Sequence, residues 1–251
     1  VALQAGDDVI VNSGATVSAN GTLNLTAGYN DTDSDGGISL ASTAILAGRP
    51  INLTAYDDIT LGSGNQSGNT VNLNSSFGTI YMNDGGTYAF TNLSATGNTA
   101  LGGTYNSTGR QTFNGPTRLF SDSLLASSGG GNITFNSTLD GSPVLTVNTS
   151  GTTAFNGTIG LSTRLGGLTT DAGGTTAFNT GVTSGVDIQG DAHFGDNVTV
   201  SGGGQIWSLR GKSTFDGTLI GDVDIILRAF NPITFNDAVS FKGHQVTSGG
   251  Q

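Results

Sequence analysis

Cysteine and glutamate are both absent from this chain; all eighteen acidic residues are aspartate, and lysine occurs only at Lys212 and Lys242. Glu and Lys favour helices, whereas Asp, Asn and Gly favour turns, so the composition predicts a chain almost free of helix. Without cysteine, the fold does not rely on oxidation. Proline is confined to Pro50, Pro116, Pro143 and Pro232, each suited to a strand start or a bend. Eight basic residues against eighteen acidic ones give a net charge of −10, and no basic stripe marks a nucleic-acid partner. A hydrophobic run of about 20 residues is also missing, so membrane insertion is not expected.

What is abundant is glycine, 42 of 251 residues, with much Ser, Thr and Asn. There is no Gly-X-Y period, which excludes collagen. Short alternating runs of Val, Ile, Leu and Phe exclude low-complexity disorder. The organising feature is a repeat. Gly151–Asn156 reads Gly-Thr-Thr-Ala-Phe-Asn and returns as Gly174–Asn179, with looser copies ending at Asn114, Asn136, Asp216 and Asn236. Phe113, Phe135, Phe155, Phe178, Phe194, Phe215 and Phe235 follow one another at nearly regular intervals. A period of about 20 residues, built from short strands, predicts a solenoid of stacked coils.

Residues 1–86 carry Ile/Leu-Asn-Leu runs such as Ile51-Asn52-Leu53 and Val71-Asn72-Leu73, and residues 87–251 carry the Thr-Phe-Asn type. Both alternate with the period of two that marks half-buried strands. We read residues 1–251 as a single all-β domain, a parallel β-helix with coils of ~20 residues. The alternative is an antiparallel sandwich, which Asn20-Gly21, Asn114-Gly115, Asp140-Gly141, Asn156-Gly157 and Asp216-Gly217 would suit as hairpin turns. Several of these dipeptides recur directly after the Phe, however. That suits a coil corner bent by a left-handed Asn or Gly. Stacked coils would also place Phe on Phe and Asn on Asn at about 4.8 Å.

The runs Ile51-Asn52-Leu53-Thr54-Ala55, Asp58-Ile59-Thr60-Leu61-Gly62 and Gly174–Val182 resemble the repeats of filamentous-haemagglutinin-like adhesins, large bacterial surface exoproteins. The resemblance implies a right-handed β-helical shaft outside the cell that supports adhesion, biofilm or filament formation, and it implies no catalytic residues. The family's N-terminal secretion signature is not evident. The chain opens at Val1 without Met and ends at Gly249-Gly250-Gln251, so a mature piece or a fragment is expected. Expected partners are neighbouring repeats or further copies, end to end, together with host or matrix glycans.

Few residues suggest chemistry. Asp31-Thr-Asp33-Ser-Asp35-Gly36 matches the first half of an EF-hand calcium loop, with alternate carboxylates and a Gly for the turn. Position 12 is Ser42 rather than a bidentate Glu, so any calcium at Asp31, Asp33 and Asp35 would be structural, and no other cofactor is expected. Asp7-Asp8 and Asp57-Asp58 are paired acids explained by turns; as catalytic carboxylates they would want a Lys or Arg nearby. Arg210 and Lys212, two apart, read as one solvated strand edge. His193 and His244 are isolated and make zinc improbable. Trp207 alternates like a strand and reads as core or wall. Thirteen Asn-x-Ser/Thr sequons occur, which stacked Asn ladders explain without glycosylation. The competing functional class is a carbohydrate-active or glycan-binding β-helix, which needs carboxylates and a base converging on one groove.

Overall fold

The structure is a computed structural model that describes residues 1–30, 33–64, 69–179, 185–242 and the backbone of 246–248. Among these residues there is no helix; the strands pair in parallel and stack as a solenoid of about 11 turns, roughly 21 residues apart. The sandwich alternative is thereby excluded. At the ~4.8 Å spacing of paired strands, the rod is about 50 Å long. Three walls of strands enclose the core. The first runs from Ala2–Gln4 through Leu23–Thr26 and Ile51–Ala55 to Val239–Phe241. The second contains Val9–Val11, Ile38–Leu40 and Ile59–Leu61, and further along Gln205–Leu209 and Ile225–Ala229. Thr87–Phe90, Val144–Thr149 and Ser213–Phe215 lie on the third.

Alternation along each strand decides what enters the core. In Ile51–Ala55 the residues Ile51, Leu53 and Ala55 are buried, while Asn52 and Thr54 point outward. The register then stacks like on like: Leu25, Leu53 and Leu73 share one inward column. That column continues through Ala95 into Phe113, Phe135, Phe155 and Phe178. The rings stack at 5.0, 5.4 and 5.2 Å between centroids. Offset stacking at this separation adds about 1 kcal/mol per pair to the gain from burial.

The aromatic series is two columns, however, not one. Phe194, Phe215 and Phe235 stack on the third wall, in register with Tyr88, Tyr105, Leu125 and Val147. The switch falls at the shortest interval of the series, from Phe178 to Phe194. That stretch is too short to complete a coil, so Phe194 meets Phe178 edge-on across the core, at 5.7 Å and 82°. Trp207 fills the junction, 4.6 Å from Phe178 and fully buried, and its indole N–H donates to Gln205 Oε1 at 2.9 Å. Further down, the Tyr88 and Tyr105 rings lie parallel at 4.9 Å. The Tyr88 hydroxyl donates to Asp84, that of Tyr105 to the Met82 carbonyl, and burial pushes both phenols well above their ordinary range.

Amide ladders run on the outside. Asn72 donates to Asn52, and Asn52 to Asn24, at 2.8 and 2.7 Å. A second ladder links Asn179, Asn156, Asn136 and Asn114 at the corner after the Phe column. These corners do not use left-handed backbone, contrary to the expectation for Asn-Gly: among the described residues only Asn30 and Ser34 are non-glycines with positive φ. Glycine is needed there for close approach, because a Cβ on Gly115 would sit 2.1 Å from the Gly97 carbonyl oxygen of the coil beneath. Gly115→Ala is therefore expected to cost about 2 kcal/mol, read as a lower urea midpoint with an unchanged slope.

Candidate functional site

The second wall departs most from regular coil geometry. Its outward column runs Tyr81, Ala100, Arg118, Asp140 in register. In the next coil this wall holds only isolated bridges, at Ile159 and Leu165, and residues 160–166 form an irregular loop that projects between and beyond them. Both ends of the loop are pinned by buried side chains, Ile159 and Leu165, while Leu161 between them is 61% exposed. Gly160 makes the exit turn at φ +73°, and a Cβ there would meet the Asp187 carbonyl oxygen at 2.0 Å. From below, Asp140 Oδ1 accepts the backbone N–H groups of Ser162 and Thr163 at 2.9 and 3.1 Å. From above, Asp187 accepts Arg164 Nε and Arg210 Nε, each at 3.1 Å.

Clefts flank the loop. One, of about 370 Å³, is lined by Tyr81, Asn98, Arg118, Phe120, Asp140 and Thr163 among others. On the far side a second, of about 400 Å³, lies against Arg164, Asp187 and Gln189. A smaller one of about 220 Å³ continues past Ser208 to Arg228. The Arg118 guanidinium lies 5.4 Å from the centroid of the Phe120 ring, and Arg210 lies 4.7 Å from that of Phe230. Asp140 and Asp187 are both engaged in holding the loop, and the functional groups left facing the first cleft are guanidinium, aromatic ring, hydroxyl and amide.

The residues singled out in the sequence scatter. Asp31 lies outside the described residues. Asp33 and Asp35 sit in the bend before Ile38–Leu40, where Ser34 (φ 66°) and Gly36 (φ 116°) turn the backbone. Among the described residues, no three His, Asp or other ligating side chains gather where they could hold a metal ion. Asp8 accepts the Gly37 N–H and Asp58 the Thr79 N–H, at 2.8 and 2.7 Å, each binding its corner to the next coil. Asp122 and Asp191 do the same for Val144 and Lys212. The short aspartate side chain reaches a neighbouring backbone N–H at a turn, a physical reason for the chain's exclusive use of Asp. Arg210 and Lys212 do not share a strand edge: both lie at a corner, and Arg210 is paired with Asp187. His193 is on the outer surface, 2.7 Å from Asp216, and His244 is outside the described residues.

One acid was not singled out at all. Asp196 is 4% exposed at the corner between Ala192–Phe194 and Asn197–Val200. Desolvation raises its pKa to about 6, although the hydroxyls of Thr176 and Thr170 donate to its Oδ1 at 2.8 and 3.1 Å. The cleft loop did leave a sequence signal: the interval from Phe155 to Phe178, which spans it, is the longest in the series. Comparison with family models, with curated proteins and with solved structures gives no match.

Proposed function

We propose that this chain is a stiff shaft of an exported, adhesin-like or fibre-forming protein, which acts by its shape and performs no catalysis. The repeats' resemblance to surface exoproteins supports export. The mechanical half rests on one observation, the ladder that runs through the coils and ends in open edges. Among the described residues, Ala2–Gln4 pairs on one side only, with Leu23–Thr26, and Val239–Phe241 only with Leu219–Gly221. Column residues that are fully covered inside the rod are bare there: Leu3 is 43% exposed against 0% for Leu25, and Phe235 37% against 0% for Phe215. A strand edge backed by an exposed apolar core recruits another edge. Its natural complement is a further coil of the same kind, from neighbouring repeats or from a second copy docked head to tail. Calcium at Asp31, Asp33 and Asp35 would, in this reading, pin one loop.

Electron microscopy and sedimentation velocity test the assembly. The wild-type chain is expected to form rods that lengthen with concentration at constant width. The double variant Leu3→Lys/Val239→Lys, with a charge on each open face, should remain monomeric at the same concentrations. Wild-type samples containing only compact monomers would remove the end-to-end reading.

A further inference from the structure

We infer that the second wall binds an acidic polysaccharide along the cleft between Arg118 and the loop at residues 160–166. Charge distribution is the first argument. Arg118, Arg164 and Arg228 are three of only eight basic residues in the chain, and they line these clefts with Asp140 and Asp187. Three arginines against these two aspartates leave the clefts positive by one charge on a molecule whose net charge is −10. Asp187 is neutralised between two arginines and Asp140 faces the loop amides. Among the described residues Arg118 has no carboxylate partner, and its guanidinium lies against the face of Phe120. A guanidinium so placed offers its planar fork to a carboxylate or sulfate.

Shape is the second argument. The lining comes from five successive coils, at Tyr81, Ala100, Arg118, Asp140 and Ser162, a span of about 20 Å. That is long for a single sugar and suits several in a row. Phe120, 54% exposed, gives a flat apolar surface for the C–H face of a pyranose. Thr79, Asn98, Ser162 and Thr163 supply hydroxyls and an amide for sugar hydroxyls. A peptide fits less well: strand addition needs a free backbone edge, and these interior strands are paired on both sides. One surplus charge is also too few to hold a nucleic-acid backbone.

Calorimetric titration of the monomeric Leu3→Lys/Val239→Lys protein separates this site from end-to-end assembly. Polygalacturonate and heparin distinguish carboxylate from sulfate recognition, with dextran as neutral probe and poly-L-glutamate as peptide probe. At least one anionic polysaccharide is expected to bind, dextran and polyglutamate far more weakly. Arg118→Ala and Phe120→Ala should each weaken binding about tenfold, and Lys212→Ala should leave it unchanged. Arg118→Lys, which keeps the charge but loses the fork, should retain part of the affinity and the wild-type melting temperature. Three results would overturn the inference: no binding of either anionic polysaccharide, dextran or polyglutamate binding equally well, or affinity indifferent to both Arg118 and Phe120.

Discussion

Replacing Phe155 by alanine is expected to lower the unfolding free energy by about 4 kcal/mol. Phe155 is 1% exposed and sits in the middle of a column, with Phe135 at 5.4 Å on one side and Phe178 at 5.2 Å on the other. Truncation removes a buried ring and two stacking partners, and its neighbours belong to backbones locked at the strand spacing. They cannot close the gap. In a solenoid each coil contacts only the next, so damage concentrates at one level of the rod. Urea titration should show the lowered midpoint, and hydrogen exchange should show lost protection at residues 133–135 and 175–178 before the ends. A loss below about 1 kcal/mol would mean the column relaxes freely, against the packing described.

Asp196→Asn should act in the opposite direction. The carboxyl titrates near pH 6 in the folded chain because burial disfavours its ionised form, against an ordinary value of 3.8. The folded state therefore holds a proton between those values that the unfolded state has released. Stability from this group is fully present below about pH 4 and is lost as the pH rises through about 6. At neutral pH the buried charge costs about 2 kcal/mol, allowing for residual screening at the corner. Asparagine keeps an Oδ1 acceptor for the Thr170 and Thr176 hydroxyls and carries no charge. The variant should match wild type at pH 4 and exceed it by about 2 kcal/mol at pH 7.5, measured as the difference between two urea curves at each pH. Asp84 and Asp216, whose pKa values are lowered, shift stability the other way in both proteins and cancel in that difference.

Local pattern carried most of the architecture. Runs such as Ile51-Asn52-Leu53 and Val186-Asp187-Ile188 lie in strands because alternate positions meet water and core. A repeat the length of one coil implies stacking, since a coil alone cannot bury its apolar face. Spacing misled at Phe194, where an interval shorter than a coil shifted the aromatic residue to another wall. The Asn-Gly corners looked like left-handed turns, yet glycine at position 115 answers a contact with Gly97, in the coil below. The cleft was least legible. Tyr81, Arg118, Asp140 and Ser162 come from different coils, and none belongs to a motif.

By itself, the sequence determined that this protein is an all-β stack of coils with apolar columns inside and amide ladders outside. Those properties depend on residue type and period, which are local. Tertiary structure alone decided which wall each column occupies, where the 160–166 loop projects, that Asp196 is buried, and that Arg118 lies against an aromatic ring. Each of these depends on the sum of corner lengths over several coils, and on which side chains that sum brings face to face.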